Sequence, residues 1–227
     1  TEWLATHGYV VSAPDHPGNT LADTFLLGND EAVAQSAMDR PLDVVFAADE
    51  LLAGLDGLPL EVDPARMAVS GHSFGGWTAL EVARIDARFG VVFPLAPGFK
   101  AGATPDFVAT LDRPLAIFGG SLDDTCEFAT DQQLPYDLAQ TPKHLVKVLG
   151  AGHLDFSNLC DVPLAVLFVN DGCNAQNVEP AIVQDRTKVV AAAFLGRYLL
   201  GNEGYEPYLQ PAWVEGLGNN EYSRSAP

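Results

Sequence analysis

Basic residues are scarce in this 227-residue chain: 12 Lys and Arg stand against 30 Asp and Glu, for a net charge of -18. Such a surface repels phosphates, which argues against a nucleic-acid partner, and it reads as a solvated, aggregation-resistant exterior. No apolar run reaches the length of a membrane span, and there is no internal repeat or low-complexity tract. No His-x-x-x-His or Cys-x-x-Cys cluster and no glycine-rich dinucleotide or phosphate loop is present, so neither a metal nor a cofactor is expected. The first residue is Thr1 rather than methionine, and no signal peptide is visible, so a processed product or an absent upstream segment is expected.

Cysteine is sparse too, at three residues. Cys160 and Cys173 lie close together in a loop-rich region and flank a segment that must be held near the site, while Cys126 stands apart. A disulfide between Cys160 and Cys173, contributing on the order of 3 kcal/mol by loop closure, is expected and fits a secreted or periplasmic protein. The alternative is three reduced thiols in a cytoplasmic enzyme.

What the chain does have is Met67-Ala68-Val69-Ser70-Gly71-His72-Ser73-Phe74-Gly75-Gly76-Trp77, an apolar run, a Gly-x-Ser-x-Gly turn and the start of a helix. A serine on a sharp strand-to-helix turn is strained and exposes its hydroxyl at the end of a sheet, and the flanking glycines make room for the turn. Ser73 is the candidate nucleophile.

Around this stretch the chain alternates. Glu2 to His7 reads as a helix end stopped by Gly8, and Tyr9 to Ala13 as a buried strand. Pro41 is predicted as the first residue of a helix with Leu42, Val45, Phe46 and Leu52 on one face. Val91 to Leu95, Leu115 to Phe118 and His144 to Val148 read as further buried strands, with a helix around Ala129 to Ala139 and a closing helix through Val190, Phe194 and Tyr198. Strands alternating with helices predict a mostly parallel α/β sheet, and the length fits one domain over 1–227. In the tail, Tyr208, Leu209 and Trp213 are expected to dock while the last residues fray.

A serine hydroxyl needs a base to take its proton and a group to orient that base. The loop after one strand carries Asp123, and the loop after the next carries His153, giving the order Ser, Asp, His at one sheet edge. Ser73 would form an acyl-enzyme, His153 would act as base and then acid, and Asp123 would hold the imidazole. Asp124 competes with Asp123 for the acid, one residue of register away. His72 reads as a pocket wall, His7, His16 and His144 as structural, and Asp155 as a loop residue. The backbone N–H of Phe74 is one candidate oxyanion donor, and Trp77, Leu122 and Phe156 are candidate pocket walls or core residues.

These motifs, from Thr6-His7-Gly8-Tyr9 and Ala13-Pro14-Asp15-His16-Pro17-Gly18-Asn19-Thr20 through Gly71-His72-Ser73-Phe74-Gly75-Gly76 and Gly119-Gly120-Ser121-Leu122-Asp123 to Gly150-Ala151-Gly152-His153, resemble the platelet-activating-factor acetylhydrolase and dienelactone-hydrolase-like branch of the α/β-hydrolases. Cutinase-type polyester hydrolases share a similar framework, and their carboxylate matches Asp123. The resemblance implies an α/β-hydrolase fold lacking its amino-terminal strands, with a missing segment or a partner chain supplying them. It implies a serine hydrolase acting on small or polymeric carboxylic esters of short to medium acyl chain. Ser73, in place of the cysteine of dienelactone hydrolases proper, favours the esterase side. The rival readings are a non-catalytic scaffold serving as an interaction module, and an acyltransferase using the same three residues.

Overall fold

The apolar runs on either side of the Gly-x-Ser-x-Gly turn become strands of one sheet in the computed structural model, which describes residues 1–20, 23, 30–54, 61–99, 103–162 and 171–226. The chain divides into two compact units, Thr1–Ala65 and Arg66–Pro227. In the first, helix α1 (Glu2–Thr6) ends before Gly8, whose positive φ of 87° turns the chain away. Tyr9 to Ala13, predicted as a buried strand, is irregular instead, with Val10 42% and Val11 37% exposed. A strand exists only by exchanging backbone hydrogen bonds with a neighbouring strand, and the sheet of the described residues does not include this segment. Helix α2 (Asp30–Ala53) runs straight through Pro41, correcting the expectation that this proline opens a helix. Proline removes one N–H from the ladder, a local loss that a helix of 24 residues absorbs. His16 donates from Nδ1 to Asp43 at 2.8 Å, and Arg40 donates to Asn19, so both bonds are internal to this unit.

The second unit holds five strands in the order β1 (Met67–Val69), β2 (Phe89–Val92), β3 (Leu115–Gly120), β4 (Lys143–Val148) and β5 (Asn220–Ser225). The first four are parallel and β5 runs antiparallel against β4. Helices flank the sheet, making an α/β unit: α3 (Phe74–Ile85) packs on β1 and β2, and α5 (Pro180–Tyr198) packs on β3. Between them stand a π-helical turn (Phe128–Gln133) continued by α4 (Leu134–Leu138), and α6 (Pro211–Gly216) precedes β5. The core is aliphatic and aromatic, with Leu80, Val92, Ile117, Phe118 and Phe194 sealed from solvent.

Two strand expectations need correction. The second strand begins at Phe89 and its regular part stops at Val92, because Pro94 has no N–H to give; Leu95 then rejoins as an isolated bridge to His72 and Phe118. The last residues, expected to fray, instead form a strand as far as Ser225. Asn220, Tyr222 and Arg224 alternate with Glu221, Ser223 and Ser225 and form the sheet's antiparallel edge, with Tyr222 facing Val146.

Candidate functional site

The parallel strands β1, β3 and β4 each end in a loop at their carboxyl edge, and those three loops carry Ser73, Asp123 and His153. Ser73 sits between β1 and α3 with φ 58° and ψ -121°, a region that an L-residue enters only under constraint. The constraint is visible: its N–H donates to Leu95 O at 2.9 Å, while its own carbonyl accepts from Gly76 N and Gly98 N. Gly71 is required because a Cβ there would lie 2.3 Å from the carbonyl oxygen of Gly75.

Ser73 Oγ lies 2.8 Å from His153 Nε2, and His153 Nδ1 lies 2.9 Å from Asp123 Oδ2. With the imidazole neutral, the hydroxyl donates to Nε2 and Nδ1–H donates to the carboxylate. Asp123 Oδ1 accepts from Cys126 N at 2.7 Å and Thr125 N at 3.1 Å, so both oxygens of this buried carboxylate are used. Asp124, one residue on, is exposed and points its N–H at Asp171 instead. The Ser73, His153 and Asp123 side chains thus form one hydrogen-bonded chain, the arrangement in which a hydroxyl proton can pass to imidazole as the oxygen attacks.

His72 is held apart from this chain. Its Nε2–H donates to the His153 carbonyl at 2.9 Å, and burial, reinforced by the neighbouring His153, pushes its pKa down to about 3. It is a neutral ring tilted against that of His153, with centroids 4.6 Å apart, and it stacks on Phe156 at 6.5 Å. Trp77 is buried in α3 against Phe74, which opens that helix directly after Ser73. Leu122 is 46% exposed beside Asp123. Cys160 and Cys173 form a disulfide.

Asp123, Cys126 and His153 bring ligand-type atoms within 4.8 Å of one another, but the carboxylate and Nδ1 are already committed to each other. Asp155, Cys160 and Cys173 form a second such group, and there the disulfide removes both thiolates.

Two carboxylates matter here that the sequence did not single out for a role. Asp155 is fully buried and accepts from Gly152 N and Cys173 N; burial raises its carboxyl above the usual range despite those bonds. Asp171 accepts from residues of both the Asp123 and His153 loops. The only signal for either was a carboxylate near a glycine and a cysteine. Among the described residues no helix is long and apolar enough to cross a membrane. Comparison with known proteins finds no family model that matches the chain and no curated protein of significant similarity.

Proposed function

We propose that this chain is a serine hydrolase of the α/β-hydrolase type that cleaves carboxylic esters of short to medium acyl chain through an acyl-enzyme on Ser73. The observation that carries the reading is the continuous bond chain from Ser73 Oγ through His153 to Asp123, at 2.8 and 2.9 Å, beginning at a strained serine. Ser73 Oγ attacks the ester carbonyl carbon as its proton moves to His153 Nε2. The oxyanion that forms is met by the backbone N–H of Phe74. Nε2–H then protonates the departing alkoxide, leaving an acyl-serine. Water attacks the acyl carbon, giving a proton to Nε2; Nε2–H then returns that proton to Ser73 Oγ as the acyl C–O bond breaks, and the acid and free serine are released. Asp123 keeps Nδ1 protonated and steadies the imidazolium in both halves. The disulfide supports an oxidising, non-cytoplasmic setting.

The test is hydrolysis of p-nitrophenyl acetate by the chain and by its Ser73→Ala variant, together with labelling by an organophosphonate. We expect ester turnover that falls about 10⁴-fold or more in the variant, and one phosphonyl adduct mapping to Ser73. Turnover that survives Ser73→Ala, or a folded chain that neither turns over ester nor takes up the phosphonate, overturns the reading.

A further inference from the structure

The carboxylate of Asp171 divides its two oxygens between two loops. Oδ2 accepts from Asp124 N at 2.9 Å, Thr125 N at 2.6 Å and Thr125 Oγ1 at 2.5 Å, all in the loop that carries Asp123. Oδ1 accepts from His153 N at 3.1 Å, and the Asp171 carbonyl accepts from Leu154 N at 2.8 Å, both in the loop that carries His153. Neither oxygen bonds to the imidazole or to Ser73. The segment is itself anchored two residues on, where Cys173 is bridged to Cys160 and its N–H donates to the buried Asp155, whose other oxygen holds Gly152 N. The approach is so close that a Cβ at Gly152 would lie 2.5 Å from Gly172 N and 2.8 Å from Asp171 Oδ1.

We propose that Asp171 is a positioning residue for the hydrolytic site: it clamps the acid loop to the base loop and sets the Asp123–His153 contact. The clamp rests on the serine-hydrolase reading and deepens it. Before the two site residues the loops are already joined by Leu122 N to Ala151 O and by Gly150 N to Ser121 Oγ, each at 2.8 Å; Asp171 adds the ties at and after them in sequence, to residues 124, 125, 153 and 154. A carboxylate is the group suited to the task because it is an acceptor at both ends. An amide of the same shape has one oxygen. Turned either way, the NH2 of asparagine faces donors, His153 N–H on one side or those of Asp124 and Thr125 on the other.

The experiment is Asp171→Asn, assayed with p-nitrophenyl acetate after normalising to the fraction titrated by organophosphonate. We expect kcat to fall about 10- to 100-fold, as for a small displacement of a reacting group, with KM within about twofold of the parent. A purely structural role would lower the folded or titratable fraction and leave normalised kcat at the parent's value. The contact itself is read without turnover by NMR, as a changed chemical shift of the Nδ1-bound proton of His153 in the variant. Where the parent turns over ester but the normalised kcat of the variant matches it, the clamp is overturned while the hydrolase reading stands. Where the parent turns over no ester, the hydrolase reading fails, and an unchanged His153 Nδ1–H resonance overturns the clamp as well. Should Asp171→Asn not fold, Thr125→Val removes a single bond of the clamp; a loss of about two- to tenfold in kcat at constant KM supports it, and an unchanged kcat overturns it.

Discussion

At Ser73 the backbone sits where the Cβ of an L-residue crowds its own carbonyl, a cost of order 1–3 kcal/mol that the surroundings must outweigh. They do so through the hydrogen bonds from Ser73 N to Leu95 O and from Leu95 N to Gly71 O, which pin the turn to the end of β2. Gly71 is the residue on which this depends most sharply, since the atom a Cβ would meet is backbone and cannot swing aside. Gly71→Ala is therefore expected to destabilise the second unit by about 1–3 kcal/mol and to slow phosphonylation of Ser73. Urea denaturation and the labelling rate measure the two effects. An alanine variant with the parent's midpoint and labelling rate would mean that the turn is looser than its contacts imply. The neighbouring His72 illustrates how little adjacency decides: its ring lies beside that of His153, yet Nε2–H is spent on a carbonyl and burial keeps the ring neutral.

Among the elements, β1, β3, β4, α3 and α5 were legible because each is an apolar run of the right length between glycine or proline breaks. The order of the site residues was legible for the same reason, since each follows one of those strands. Two elements were not. Tyr9 to Ala13 has the composition of a strand but is not part of the sheet among the described residues, and composition carries no information about which strand lies alongside. β5 has the reverse problem: of its inward-facing residues only Tyr222 is apolar, and its stability comes from contacts 78 residues away. Tyr222 Oη is hydrogen-bonded to Nδ1 of the buried His144 on β4, and Tyr198 Oη on α5 meets Nε2 at 3.0 Å, so one imidazole joins strand, edge strand and helix. Tyr222→Phe leaves a buried ring nitrogen without its partner, and we expect a loss of about 1–3 kcal/mol with faster amide hydrogen exchange across Asn220 to Ser225. Unchanged protection of those amides would show that the backbone ladder alone holds the edge. Asp171 was illegible on similar grounds, because its importance lies in bringing together residues 124, 125 and 153, a relation that no spacing encodes.

For the whole molecule the acid response follows from two histidines that fold neutral. His72 and His144 both have pKa values pushed down to about 3, chiefly by burial, against about 6.5 when exposed in the unfolded chain. A folded pKa below the unfolded one means that the unfolded chain binds the extra protons. The stability this confers is complete above about pH 6.5 and drains away as pH falls toward 3. Within that window each histidine contributes a slope of about 1.4 kcal/mol per pH unit, so moving from pH 6.5 to 5 should remove about 2 kcal/mol per ring, or about 4 kcal/mol in all. The net charge of -18 works the other way, because acid relieves repulsion among the carboxylates, but that relief gathers mainly near and below their own pKa values. Urea midpoints at pH 7, 6 and 5 should therefore decline, with a proton uptake on unfolding that approaches two at pH 5. Stability that is flat or rising from pH 6.5 to 5 would mean that at least one of these rings is charged in the folded protein, and the bond from His72 Nε2 to the His153 carbonyl, which survives protonation, makes His72 the first ring to examine by NMR.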